Sequence, residues 1–126
     1  MTDFLDLEDI LNLHANQVHL YGGEHGVRDI GLLESAIAQP RMMFDGEFLH
    51  KDLFEMAAAY LFHIVQNHPF LDGNKRTGVV VSLVFLDLNG IEINAPEGSL
   101  YDLTMAVATG QADKAEIAAY FRSHAH

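Results

Sequence analysis

Apolar residues recur at three- and four-residue intervals along most of the chain, and the strict alternation that marks strands is nearly absent. Leu7, Ile10, Leu11, Val18 and Tyr21 line one face of a helix predicted over residues 5–21, which Gly22-Gly23 ends. A second helix is predicted from Asp29, with Pro40 disfavouring helical geometry at Gln39. The third opens at Asp52, with Glu55 three positions on in a capping-box pattern, and carries Phe54, Ala57, Ala58, Leu61, Phe62 and Val65 to about Asn67. The fourth runs from near Asn74 to the stop signal Asn89-Gly90. Its Val79, Val80, Leu83, Val84, Phe85 and Leu86 cover nearly the whole circumference, which predicts a helix inside the bundle. The fifth, over 96–109, places Pro96 and Glu97 in its first turn and stops at Gly110. The last begins at Asp113 with Glu116 as a second capping box and turns Ile117, Tyr120 and Phe121 inward. The pattern predicts an all-α fold of six helices, one domain over residues 1–126, with the third and fourth helices at its centre.

One loop breaks this rhythm. In "RMMFDGEFLHK", Asp45-Gly46 between Phe44 and Phe48 signals a short hairpin. It is either a connecting turn with its aromatics on the core or a flap that touches a partner.

Composition narrows the function classes. A chain of 126 residues can bury a core without metal or disulfide help, and it has no cysteine for a thiolate site. Eighteen acidic residues against seven basic ones give a net charge of −11, which argues against direct nucleic-acid binding. The start, "MTDFLDLEDI", is acidic and amphipathic, unlike a signal peptide, and no apolar run approaches the roughly 18 residues of a membrane span. The expectation is a cytoplasmic protein with no membrane association.

The densest group of polar side chains, "HPFLDGNKRTG" at residues 68–78, lies between two of the most apolar segments. Pro69 pushes His68 out of helical geometry, so a short corner joins the third and fourth helices, with Phe70 as its inward anchor. Lys75 and Arg76 fall in the first turn of the fourth helix, where the macrodipole already makes the end positive. Free N–H groups there, with both cations and with Gly73 allowing close approach, suit a phosphate. Asp72 beside a phosphate is repelled unless a divalent cation such as Mg²⁺ sits between them. His68 can accept a proton from a hydroxyl attacking that phosphate. The alternative is a polar turn with a capping Asp and solvated cations. Other motifs fail: "GNKRTG" is followed by valines where a Walker A loop needs Lys and Ser/Thr, and "DGN" lacks an EF-hand's closing Glu. The remaining histidines (His14, His19, His25, His50, His63, His124 and His126) read as structural or exposed.

The stretch resembles the Fic/Doc signature His-Pro-Phe-x-(Asp/Glu)-Gly-Asn-(Gly/Lys)-Arg, matching its eight specified positions without a gap. "YGGEHGVRDIGLLESAIAQP" and "VFLDLNG" are similar to the flanks of the death-on-curing branch. The resemblance implies a compact six-helix toxin fold, ATP as substrate and a separate antitoxin of the Phd kind. It makes His68 the base that activates a target hydroxyl and Asp72 the Mg²⁺ ligand. Gly73, Asn74, Lys75 and Arg76 become the phosphate cradle, and Phe70 the structural anchor. Two positions differ from the adenylylating members: their second Arg would fall at Val79, and their Gly after Asn is Lys75 here. Both differences resemble the death-on-curing toxins, which implies γ-phosphate transfer to a Ser/Thr hydroxyl, with elongation factor Tu as target. The only Glu-Gly, Glu97-Gly98, has Ile93 rather than Ser or Thr four residues before it, so the family's inhibitory motif is missing. The other readings are a nucleotidyl transferase using the same site and a catalytically silent module that only pairs with an antitoxin.

Overall fold

In a computed structural model describing residues 1–126, six α-helices form the protein. They are α1 (Leu7–Tyr21), α2 (Ile30–Ala38), α3 (Leu53–Asn67), α4 (Asn74–Leu88), α5 (Ser99–Ala108) and α6 (Lys114–His124). A two-residue pair of strands, β1 (Met43–Phe44) and β2 (Glu47–Phe48), is the only sheet. The fold is all-α. None of its helices is long and apolar enough to cross a membrane.

Aspartate side chains start four of the helices. Asp6, Asp29, Asp52 and Asp113 accept the N–H groups of Asp9, Leu32, Glu55 and Glu116 respectively. The box is reciprocal at α1 and α6. At α3 the Glu55 carboxylate accepts instead from the Lys51 N–H at 3.3 Å, so the predicted box there is only half formed. At α5 the prediction is corrected: Gly98 stands at φ 83 with no side-chain cap, and the helix begins at Ser99. Pro96 and Glu97 belong to the preceding turn, where the Ser99 hydroxyl donates to the Pro96 carbonyl at 2.8 Å. Gln39 is also helical, at φ −57 and ψ −46, despite the proline after it. The chain tightens there into a 3₁₀ turn over Gln39–Arg41, whose first positions need no N–H from Pro40.

Helix α3 is the axis of the molecule and packs on α2, α4, α5 and α6. Met56 to Leu61, with Ile64 and Val65, are buried. Gly78 lets α4 approach, since a Cβ there would stand 3.0 Å from the Val65 side chain and 3.4 Å from the Leu61 carbonyl. The Tyr60 hydroxyl donates to the Leu5 carbonyl and accepts the Leu5 N–H, tying the N-terminal segment to the core. α4 is less enclosed than its apolar circumference predicts. Val81, Ser82, Phe85 and Leu86 are buried, but Val79, Val80, Leu83 and Val84 are half-exposed and Leu88 is exposed, because α1, α3 and α5 cover only part of its surface.

The hairpin is present, with Asp45 at φ 55 and Gly46 at φ 81, the two positive values a type I′ turn requires. Its aromatics divide between the two readings. Phe48 packs on Phe4 with ring centroids 5.6 Å apart, whereas Phe44 is 77% exposed.

Candidate active site

The corner between α3 and α4 spans residues 68–73 and is held from several sides. His68 closes α3 in left-handed geometry, at φ 50 and ψ 53, with its N–H on the Ile64 carbonyl. Pro69 and Phe70 turn inward and are buried. The Phe70 ring lies on the His14 imidazole at 3.7 Å and 6°, nearly parallel. Asn74 closes the turn: its side-chain oxygen accepts the Phe70 N–H at 2.9 Å and its amide donates to the Phe70 carbonyl at 3.0 Å. His14 Nε2 donates to the Asp72 carbonyl at 2.8 Å, and a carbonyl partner requires the proton on that nitrogen. Burial lowers the His14 pKa, which favours the neutral ring, although the hydrogen bond to the Asp72 carbonyl opposes that shift.

Residues 22–29 run antiparallel to this corner and bond to much of it. Arg76 Nη2 donates to the Gly22 carbonyl at 3.0 Å, the Glu24 N–H to Asp72 Oδ2 at 2.9 Å, and the Leu71 N–H to the Gly26 carbonyl at 3.1 Å. Val27 bridges Phe70, and the N–H groups of Arg28 and Asp29 share the Pro69 carbonyl. The Arg28 side chain reaches the carbonyls of Asn67 and His68. Gly23 permits the approach, because a Cβ there would lie 3.2 Å from that of Asp72. In the sequence Gly22-Gly23 reads as a helix stop within a flank similar to the death-on-curing branch, with nothing to show that it contacts the corner. The half-turn of chain after it is the strap of the site.

His68, Asp72, Gly73, Lys75 and Arg76 line one cleft of about 310 Å³, with Leu71, Asn74 and Tyr101 completing its wall. Gly73, at φ 77, occupies the N-cap of α4 and offers no side-chain cap to the helix. The single ion pair of the protein, Arg122 with Asp52, is elsewhere, so Lys75 and Arg76 have no carboxylate within bonding reach. An uncapped helix start with two unneutralised cations has the chemistry that suits an anion. Arg76 also lies over the Tyr21 ring at 5.6 Å. The Asn74 side chain is committed to Phe70, which leaves its main-chain N–H as the group it can offer a phosphate. Phe70, fully buried, supports the site from beneath. Sequence reasoning did not find Tyr101, His14 or Arg28 as neighbours of the site. None of them lies in the signature, and each arrives from a distant element.

The sequence model of the Fic/DOC family matches residues 4–86. The chain belongs to the Fic/DOC family. It is 40% identical over 121 residues to Toxin Doc of Mycolicibacterium smegmatis, covering 94% of this chain and 91% of that protein. It is 37% identical over 112 residues to Protein kinase doc of Escherichia phage P1, covering 88% and 86%. The Fic/DOC match takes in the strap, the corner and most of α4. Tyr101 and all of α5 and α6 lie beyond it.

Proposed function

We propose that this Fic/DOC chain is the toxin of a toxin–antitoxin pair and transfers the γ-phosphate of ATP to a Ser/Thr hydroxyl of a protein, elongation factor Tu being the target the resemblance suggests. The observation that carries this reading is the pairing of His68 with the uncapped, cationic start of α4 in one cleft. The relatives named Toxin Doc and Protein kinase doc support both halves of it.

The chemistry follows from the residues. The N–H groups of the first turn of α4, with Lys75 and Arg76, orient the phosphates of ATP. The target hydroxyl attacks the γ-phosphorus, its proton passes to the His68 imidazole, the bond to the β-phosphate oxygen breaks and ADP leaves. Asp72 is the residue that would hold Mg²⁺. One of its oxygens is taken by the Glu24 N–H, and no group of three or more acidic or histidine ligands stands with it. A lone carboxylate suits a Mg²⁺ that arrives with the nucleotide and keeps phosphate and water ligands. Bound there, the ion would neutralise phosphate charge.

Lys75 and Val79 favour the γ-phosphate over the α-phosphate. The Lys75 side chain obstructs the close backbone approach that adenylyl transfer uses and supplies charge for a terminal phosphate. Val79 opens on an apolar recess of about 130 Å³ shared with Lys75, Arg76, Tyr101 and Thr104. It supplies no cation to hold the distal phosphates in the adenylylating pose, which favours the reversed nucleotide with its γ-phosphate at His68. The missing inhibitory motif points to restraint by a separate, Phd-like antitoxin.

The test is a reaction of purified protein with cell extract and with elongation factor Tu, using γ- and α-labelled ATP in parallel. Label enters protein from the γ position only, and His68→Ala and Asp72→Asn abolish it while melting within a few degrees of wild type. Label from the α position replaces this reading with nucleotidyl transfer. No His68-dependent label of either kind, with growth arrest that His68→Ala leaves intact, refutes catalysis.

A further inference from the structure

Arg28 is one of seven cations in a strongly acidic chain, yet it pairs with no carboxylate. Its guanidinium spends its donors on the main chain instead. Nε donates to the His68 carbonyl at 2.7 Å and Nη2 to the Asn67 carbonyl at 2.9 Å. Those are the last carbonyls of α3, which no intrahelical N–H reaches, and a cation there also meets the negative end of the helix dipole. The same residue's N–H, at 2.7 Å, holds the next carbonyl, that of Pro69. Three consecutive carbonyls, the last of α3 and the first two of the corner, therefore end on Arg28.

The residue between these bonds is the one in unusual geometry. His68 and Asp45 are the only non-glycine residues at positive φ, and Asp45 is in a hairpin turn that calls for it. A residue before proline relaxes toward extended backbone. That relaxation would rotate the His68 carbonyl out of the Arg28 fork and swing the imidazole relative to Asp72 and the start of α4. We propose that Arg28 is a positioning residue: its forked hydrogen bonds lock His68 in the left-handed conformation that aims the imidazole into the cleft. The inference rests on His68 acting as the base, and it assigns Arg28 no contact with ATP or target.

The consequence is selective. Lys75 and Arg76 are held by α4 and by Gly22, independently of Arg28, so nucleotide binding stays while the proton acceptor is misplaced. Misplacement by about an ångström costs on the order of 10- to 100-fold in turnover. The experiment measures kcat and both KM values for wild type, Arg28→Ala and Arg28→Lys, with the His68 backbone conformation read by NMR in each. Arg28→Ala lowers kcat by that factor, leaves the KM for ATP within about twofold, and moves His68 toward extended φ. Arg28→Lys, with a single nitrogen in place of the fork, recovers only part of kcat. If Arg28→Ala does not fold, the comparison of Arg28→Lys with wild type decides. Wild-type kcat in the variants, a loss confined to the KM of the protein target, or His68 remaining at positive φ overturns the proposal. If wild type itself shows no His68-dependent transfer, the proposed function has failed, and the NMR arm alone judges whether Arg28 sets His68.

Discussion

Helices α4 and α6 both carry cations in their first turn, Lys75 and Arg76 in one and Lys114 in the other. α6 satisfies its own start. Asp113 accepts the Glu116 N–H, Glu116 reaches back to Asp113, and the Lys114 ammonium donates to His63 Nε2 at 3.2 Å and His50 Nε2 at 3.4 Å. α4 has Gly73 where α6 has Asp113, and neither Lys75 nor Arg76 finds a carboxylate. The difference is not one of burial or stiffness, because the corner before α4 is braced by His14, Asn74 and the strap. On the proposed function the rigid, electrostatically open start of α4 receives the nucleotide, whereas the start of α6 is closed by its own side chains.

Asn74 offers the largest break in that contrast. Asn74→Ala leaves the buried Phe70 N–H and carbonyl without partners, which costs about 2–4 kcal/mol. At α6, Asp113→Ala removes an exposed cap and costs about 1 kcal/mol. Urea unfolding of the two variants should separate them by more than the error of extrapolation, and only Asn74→Ala should also impair transfer. Equal losses would mean that the α4 corner is not specially braced.

The second effect is pH. Burial, followed by the Lys114 charge and then His50, depresses the His63 pKa to about 4. His50 is lowered as well, by burial and then Lys114, with Glu55 opposing. An unfolded His takes up its proton near 6.5, while native His63 resists until about 4, so the unfolded state binds more protons across that window. Stability is then full above about pH 6.5 and falls as pH drops toward 4. Allowing for the ring's half-exposure to solvent, the loss attributable to His63 is about 1–2 kcal/mol. His63→Gln keeps an acceptor for Lys114 without a titrating group, and its stability should decline less between those pH values. A parallel decline in both proteins would show that His63 does not carry the effect.

The sequence disclosed the helices because their signals are local. Asp52, Asp113 and the 3.6-residue spacing act within one or two turns, and the structure places α3, α4 and α6 within a residue or two of where those signals put them. It misplaced the start of α5, since Gly98 at positive φ outweighs a proline that only permits a helix. It overstated the burial of α4, because apolar residues all round do not say how many neighbours will come. The signature was legible as a contiguous run of chemistry on one corner. The strap was not, for bonds such as Glu24 to Asp72 and Arg28 to His68 join residues 48 and 40 apart and are made by main-chain groups that any sequence possesses. Tyr101 was likewise hidden, as an ordinary aromatic in an amphipathic helix.

The smallest effect is the most discriminating, because it predicts opposite signs for two lysines. Lys75 opposes the positive end of α4, has no carboxylate partner and lies exposed on the cleft wall. Lys75→Gln should therefore stabilise the protein by about 0.3–0.5 kcal/mol, an effect that shrinks in high salt. On the proposed function, in which the charge serves the bound phosphates, the same variant should lose at least about tenfold in transfer. Lys114 meets the same helix-dipole penalty at α6, but its ammonium is hydrogen-bonded to two imidazoles and approaches the Phe62 ring at 5.9 Å. Lys114→Met, which keeps the aliphatic packing, should destabilise by about 1 kcal/mol and leave transfer unchanged. Thermal melts at low and high salt, run beside the labelled-ATP assay, check both. If Lys75→Gln melts lower than wild type, Lys75 has a structural partner that the contrast between the two helix starts denies. If it melts higher and transfers phosphate normally, the open end of α4 is not where the nucleotide binds.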